Sequence, residues 1–230
     1  ILIIHITLGF RWLREMDRYK DDPIVQRALG LRRLPDVATV SRTMAVVDER
    51  SIEEIRKLNL QLILQWCGKI GMKRITLDFD GSVLSTGRYA EGTAVGFNKK
   101  KKGQRSYYPL FCTISQTSQI LDFHHRPGNV HDSRGAAGFI LQCIRTIRET
   151  LNGIKIEVRF DSAFFSDKIV NLLHKEGVEF SISVPFERFP ELKDKIEMRK
   201  RWNRVDSNWS FFEEGWSPKY AILILVDTSI

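Results

Sequence analysis

Residues 74–80 read Arg-Ile-Thr-Leu-Asp-Phe-Asp, and this stretch decides the predicted fold because an apolar strand ends there in carboxylates. Asp78 and Asp80 are two residues apart, so they lie on the same face of a regular strand. A second apolar strand, Ile-Lys-Ile-Glu-Val-Arg-Phe-Asp at residues 154–161, ends at Asp161, where a helix is predicted to follow. If the two strands are neighbours in one sheet, Asp80 and Asp161 come together although they are far apart in sequence.

These carboxylates predict a divalent-metal site. A carboxylate at the end of a buried strand loses solvation, and a bound cation is the usual compensation. Mg²⁺ prefers a few carboxylate ligands and leaves positions open for water and phosphate oxygens, which suits phosphoryl transfer. The alternative is that each aspartate caps the turn or helix after its strand. The sequence also leaves open whether Asp78 or Asp80 faces the metals.

The order of predicted elements extends this pattern along the chain. Residues 1–72 carry apolar residues at helical spacing and are predicted to form a helical N-terminal region. Residues 73–190 give three strands and then helix, strand, helix and strand, with the second helix beginning near Ala163. This order is typical of an RNase H-like mixed sheet with flanking helices. Residues 191–230 are predicted to begin a β-rich insertion, so the expected fold class is α/β.

The charge of the chain favours a polyanionic partner. Its 230 residues carry a formal net charge of +8, and the pI is about 9.5. We interpret one basic stretch as a DNA-contacting hairpin loop, because clustered cations bind phosphates. The basic residues of this stretch are Lys99, Lys100, Lys101, Lys102 and Arg105. A second basic run surrounds Trp202, whose ring could stack on an unpaired base. The alternative for both runs is a solvated surface.

The composition also speaks against several other classes. Apolar stretches are too short for a membrane-spanning helix, and the small-residue cleavage pattern of a signal peptide is missing. Cys67, Cys112 and Cys143 are widely separated and lack zinc-ligand spacing. We therefore expect reduced, packed thiols in a cytoplasmic protein.

Most of the chain, from about Leu8 to its end, resembles the bacterial insertion-sequence transposases of the group 1 DDE transposase domain family. The motifs that carry the resemblance in combination are ITLDFDGSV at 75–83, EGTAVGFNKKKKGQRSYYPLFC at 91–112, RPGNVHDSRGA at 126–136, VRFDSAFF at 158–165 and GVEFSISV at 177–184. The resemblance implies an RNase H-like enzyme that cuts DNA at transposon ends with a metal-bound water. The freed 3′-hydroxyl then attacks target DNA.

By position in these motifs, the resemblance implies that Asp80 is the first catalytic aspartate and Asp161 the second, with Asp78 a competitor for the first role. It implies Mg²⁺ or Mn²⁺ as cofactor and DNA, both transposon ends and target, as partner; a homodimer on DNA is consistent with it. The third carboxylate of this family is a glutamate on a helix after the β insertion. Because residues 202–227 look like the start of that insertion, we expect the chain to be truncated before this glutamate and inactive alone.

Two rival functions remain open at the level of sequence. Residues 77–81, Leu-Asp-Phe-Asp-Gly, are also similar to the first motif of haloacid dehalogenase-like phosphatases, in which Asp78 is the nucleophile and Asp80 the acid/base. That motif opens a doubly wound α/β fold, whereas strands and a lysine-rich loop are predicted here. The second rival is a DNA-binding remnant of a transposase without catalytic activity.

Overall fold

The chain divides into two compact units, with the boundary between Met72 and Lys73. The computed structural model describes residues 1–96, 101–131, 134–217 and 220–227. Within these ranges, none of the helices is long and apolar enough to cross a membrane. The three-part division predicted from the sequence stays a prediction.

The N-terminal unit is helical, as predicted. Its elements are α1 (Leu2–Thr7), a 3₁₀ helix (Leu13–Arg18), α2 (Pro23–Ala28), α3 (Val37–Ala45) and α4 (Glu49–Lys69). Asp22, Asp36 and Asp48 cap α2, α3 and α4 by accepting hydrogen bonds from N–H groups of the first turn. Apolar side chains from several of these elements pack into a core that includes Met16 and Tyr19.

The second unit contains a mixed central sheet. In chain order, the elements of this unit are β1 (Arg74–Gly81), β2 (Leu84–Ser85), β3 (Ala94–Val95), β4 (Arg105–Tyr107), β5 (Leu110–Ile114), β6 (Gln119–His124), α5 (Ala136–Thr150), β7 (Lys155–Phe160), α6 (Asp167–Glu176), β8 (Glu179–Ile182), α7 (Pro190–Glu197), β9 (Asn203–Arg204), β10 (Trp209–Ser217) and β11 (Tyr220–Asp227). The central sheet has the order β6-β5-β1-β7-β8. β5 and β6 run antiparallel to their neighbours, and β7 and β8 run parallel to β1. This is the predicted RNase H-like arrangement, with β1 at its centre.

The core of this unit forms where the apolar face of the sheet meets the helices. Leu77 of β1, Val158 of β7 and Ile140 of α5 are all fully buried. Phe79 of β1 meets Phe139 of α5 edge to face, with ring centroids 5.8 Å apart. The alternation of apolar and polar residues in β1 therefore buries one face of the strand and turns the other, which carries the aspartates, away from this core.

The helix predicted to begin near Ala163 starts later. Residues Ser162–Phe164 form a single 3₁₀ turn, and the chain is extended at Phe165 before α6 begins. The side chain of Ser166 caps α6 by accepting a hydrogen bond from the N–H of Ile169. The prediction was wrong because the apolar run that follows Asp161 packs as a turn, not as a helix.

The second unit also contains two smaller sheets. One has the order β2-β4-β3 and lies between β1 and β5 along the chain. The other has the order β11-β10-β9 and packs against α7 through a small core of Leu192, Phe212 and Ile224. The second sheet follows β8, where the sequence predicted a β-rich insertion.

The cysteines are free and buried, as expected from their spacing. Burial raises the pKa of the Cys112 thiol well above its usual range, and the neighbouring Cys143 acts in the same direction. A thiol held neutral in this way is a packing group and a poor nucleophile.

Candidate active site

The two aspartates singled out by sequence lie at adjacent strand ends. β1 and β7 are parallel neighbours, and their last paired residues are Phe79 and Phe160. Asp80 is the next residue on β1, and Asp161 is the next residue after β7. Both aspartates are exposed, whereas the two phenylalanines are buried. The structure therefore places both carboxylates at the same carboxyl edge of the sheet.

Asp161 also has a local structural role. Its backbone is extended, and its carboxylate accepts a hydrogen bond of 3.0 Å from the N–H of Ala163, which caps the 3₁₀ turn. The capping alternative raised from the sequence is thus correct for this residue. This hydrogen bond uses Oδ1 of Asp161, so Oδ2 can still bind a cation.

Asp78 is paired with an arginine of the neighbouring strand. Arg159 of β7 donates to both oxygens of Asp78, from Nε to Oδ1 at 2.7 Å and from Nη2 to Oδ2 at 2.9 Å. The same guanidinium also donates to the hydroxyl of Ser115. The hydrogen bond to Asp78 raises the pKa of the Arg159 guanidinium. The two oxygens of Asp78 are therefore already engaged by a neighbouring strand.

The basic loop divides into residues with different surroundings. Lys99 and Lys100 lie outside the described residues, while Lys101 and Lys102 are exposed. Arg105 lies in β4, and its guanidinium donates to the hydroxyl (2.8 Å) and to the carbonyl of Thr93. Lys101 and Lys102 thus face solvent, whereas Arg105 joins two segments of the small sheet.

The start of the motif at residues 126–136 packs against the small sheet, a contact that the sequence did not predict. Gly128 donates its N–H to the carbonyl of Ser106 at 2.9 Å. A Cβ atom at Gly128 would lie 2.7 Å from the carbonyl oxygens of Ala94 and Ser106, so only glycine fits without a shift. A Cβ at Gly96 would lie 2.6 Å from the Cα of Asn129. The base of the lysine loop thus touches the motif backbone to backbone.

Arg126 is the second feature that sequence reasoning missed. Its side chain is only 3% exposed and donates to the carbonyl oxygens of Tyr108 (3.0 Å) and Arg134 (3.2 Å). The N–H of Ser82, just after β1, donates to the carbonyl of Pro109 at 3.1 Å. A buried arginine therefore holds the segment that follows the lysine loop and lies beside the end of β1.

The basic run around Trp202 is built differently from what its sequence suggests. Trp202 is half-buried, its indole N–H donates to the carbonyl of Arg199 at 3.2 Å, and its ring meets Phe212 edge to face. The guanidinium of Arg199 lies over the same Phe212 ring, 4.1 Å from its centroid. The indole therefore packs against the small C-terminal core, which disfavours the base-stacking interpretation.

Most of the chain matches one known protein family. The family described as "Transposase DDE domain group 1" matches residues 1–208. The chain belongs to this DDE transposase family. A comparison with curated proteins gave no match.

Solved transposase structures resemble this transposase domain only distantly. The Mos1 transposase paired-end complex with left transposon end has 10% identity and a TM-score of 0.36, with 83% of this chain and 72% of that chain covered. The piggyBac transposase synaptic complex with hairpin DNA has 14% identity and a TM-score of 0.44, with 95% of this chain and 51% of that chain covered. The catalytic domain of Mos1 mariner transposase has 10% identity and a TM-score of 0.33, with 67% and 76% covered. The transposase domain thus spans about half of the piggyBac chain.

The donor chemistry of the transposase domain fits a divalent cation at Asp80 and Asp161. Carboxylate oxygens are the ligands that Mg²⁺ and Mn²⁺ prefer. Among the residues described by the structure, no group of three or more His, Cys, Asp or Glu side chains could hold a metal ion. Glu214 of β10 is paired with Lys195. The assignment of Asp80 and Asp161 as metal ligands therefore stays a prediction.

Proposed function

We propose that this chain supplies Asp80 and Asp161 as two metal ligands for DNA strand cleavage and transfer at the ends of an insertion sequence. By itself the chain should be inactive in this reaction, because its described residues form no group of three carboxylates. The observation that carries the proposal is the register of Phe79 with Phe160, which brings the two following aspartates to one edge of the sheet. Membership of the DDE transposase family supports the same reaction class.

In this proposal Asp80 and Asp161 would hold Mg²⁺ or Mn²⁺. Such an ion, when bound, activates water or a 3′-hydroxyl and stabilises the oxygen that leaves phosphorus. The residues of the chain bind and orient the metal and the DNA, and no side chain acts as the nucleophile. The engagement of Asp78 with Arg159 supports Asp80 as the metal ligand of β1.

The DNA is bound through backbone phosphates in the proposal. Lys101 and Lys102 are exposed in a loop that is anchored at its base by the close approach of Gly96 to the 126–136 motif. Lys99 and Lys100 belong to the same loop in sequence. Four lysines in one short loop supply a charge-based, sequence-independent contribution to affinity. Arg105 is left out of this set because it is bound to Thr93.

Two observations count against the phosphatase alternative. The strand that carries Asp78 and Asp80 has antiparallel β5 on one side, whereas a doubly wound phosphatase core is parallel around its first strand. The residue that would be the nucleophile, Asp78, accepts hydrogen bonds from Arg159 on both of its oxygens. The non-catalytic remnant shares every binding feature with the proposal and differs only in chemistry.

The test is the nicking of supercoiled plasmid by the purified chain in Mn²⁺ buffer. We expect nicking by the chain alone to be weak or absent, and any nicking that occurs to fall at least about 100-fold in both D80N and D161N, because each removes a metal ligand from a phosphoryl-transfer site. Asn retains the ability to cap a helix or turn, so D161N keeps the local structure. D17N, a change of an exposed carboxylate in the N-terminal unit, is the matched control and should nick like the wild type.

Three other results would contradict the proposal. Plasmid binding without nicking, together with Mn²⁺ binding that D80N and D161N leave unchanged, would favour the non-catalytic remnant. Hydrolysis of para-nitrophenyl phosphate that is abolished by D78N would favour the phosphatase. Nicking that survives both D80N and D161N would overturn the site assignment.

A further inference from the structure

Asp78 and Arg159 form a pair, and each of them precedes one aspartate of the site by two residues. Asp78 and Arg159 are register partners on β1 and β7. Asp80 follows Asp78 by two residues and lies on the same face of β1. Asp161 follows Arg159 by two residues and comes directly after β7. The pair therefore joins the two strands that carry the site.

Asp78 and Arg159 form a close, bidentate ion pair. Two hydrogen bonds, of 2.7 and 2.9 Å, link the carboxylate to the guanidinium side on. The side chains of Asp78 and Arg159 are nevertheless 39% and 45% exposed, and ion pairs this exposed contribute little to folding. Arg159 also donates to Ser115, which follows β5, so one guanidinium on β7 contacts β1 and the end of β5.

The charge of the pair matters because of its position. Two residues along a strand span about 7 Å, so Asp78 lies about that far from Asp80. A paired carboxylate and guanidinium present no net charge to a cation at the site. An unpaired unit charge at this distance would change the affinity for a divalent ion roughly fivefold to tenfold in water-like surroundings.

We propose that Asp78 and Arg159 are a positioning pair for the metal site at Asp80 and Asp161. The pair holds the two strand ends side by side and keeps a third carboxylate and a guanidinium occupied with each other. The Asp78 carboxylate is thereby kept from competing for the metal, and the Arg159 guanidinium is kept from pairing with Asp80. This inference rests on the proposed function, since it takes Asp80 and Asp161 as the ligands.

The test is Mn²⁺ binding to the 230-residue chain, measured by calorimetry and by the electron paramagnetic resonance signal of free Mn²⁺. R159Q leaves an extra carboxylate beside the site, and we expect affinity to rise roughly fivefold to tenfold. D78N leaves a free guanidinium, and we expect affinity to fall by roughly the same factor. The double variant D78N/R159Q removes both charges and should return to within about twofold of the wild type.

A purely structural role for the pair predicts a different pattern, because loss of either partner would then weaken Mn²⁺ binding in the same direction. R74Q is the matched control: Arg74 pairs with Glu179 at the opposite end of β1, where charges are screened from the site. Changes of the same sign in R159Q and D78N, or no change in either, would overturn the positioning pair while leaving the site intact. Mn²⁺ binding that is unaffected by D80N and D161N would overturn the proposed function itself, and the inference with it.

Discussion

Phe79 and Phe160 are register partners on neighbouring parallel strands, and their rings stack with centroids 5.2 Å apart. They are the last residues of the paired segment, so the position of both following aspartates depends on how these two rings pack. Phe160 in turn contacts the fully buried Phe164 of the 3₁₀ turn. The apolar layer beneath the site therefore supports it from both strands.

Truncation of Phe160 should destabilise the fold. Phe160 is 7% exposed, and we expect F160A to lower the free energy of unfolding by about 3 to 5 kcal/mol through reduced burial and a cavity. Urea denaturation followed by circular dichroism measures this. The control is F123A in β6, where the ring is 48% exposed and the cost should be about 1 kcal/mol or less. Equal costs for the two variants would contradict the packing argument.

A methyl group at Gly128 should disturb the small sheet. Its Cβ would lie 2.7 Å from two carbonyl oxygens, and we expect G128A to cost about 1 to 3 kcal/mol as other overpacking substitutions do. Thermal denaturation tests this. G138A in α5 is the matched control, because a Cβ there meets nothing within 4 Å and alanine favours the helix by up to about 1 kcal/mol. A G128A variant as stable as the wild type would show that the 126–136 motif can move away from the small sheet at little cost.

Neutralising the lysine loop should change the salt dependence of DNA binding. With Lys101 and Lys102 replaced by Gln, we expect the slope of log affinity against log salt concentration to fall in magnitude by roughly 1.8, since each phosphate that is no longer neutralised accounts for about 0.9. Fluorescence anisotropy on labelled duplex DNA measures the slope. K168Q/K175Q, which removes two exposed lysines of α6, is the control of equal charge. If both double variants change the slope equally, the loop has no special role.

The sequence was sufficient for those features that depend on local pattern. The alternation in residues 74–80 predicted a strand with one buried face, and the repeated strand-then-aspartate pattern predicted that Asp80 and Asp161 follow strands of one sheet. Helical spacing likewise predicted helices before Lys73. These signals are readable because side-chain periodicity is a property of the single element.

The remaining features depend on interactions between distant segments and could not be read in this way. No spacing rule predicts that Arg159 pairs with Asp78, that Arg105 binds Thr93, or that Gly128 lies against the base of the lysine loop. Each of these is set by strand register or by close backbone approach. The choice between Asp78 and Asp80 was open for this reason, since both residues fit the strand pattern equally.

The cap of α4 gives the fold an acid-sensitive component. Ser51 donates from its hydroxyl and from its N–H (2.8 Å) to the carboxylate of Asp48, and these hydrogen bonds lower the pKa of Asp48 below its ordinary 3.8. A depressed pKa contributes stability that is present above 3.8 and is lost as pH falls through the lower folded-state pKa. We therefore expect the stability difference between the wild type and D48A to be constant near neutral pH and to shrink below 3.8. Urea denaturation of both chains at a series of pH values measures this difference.

D21A, at an exposed aspartate that caps no helix, is the control, and its difference from the wild type should stay small across the series. A D48A difference that persists unchanged into strong acid would mean that the carboxylate charge plays no part in the cap.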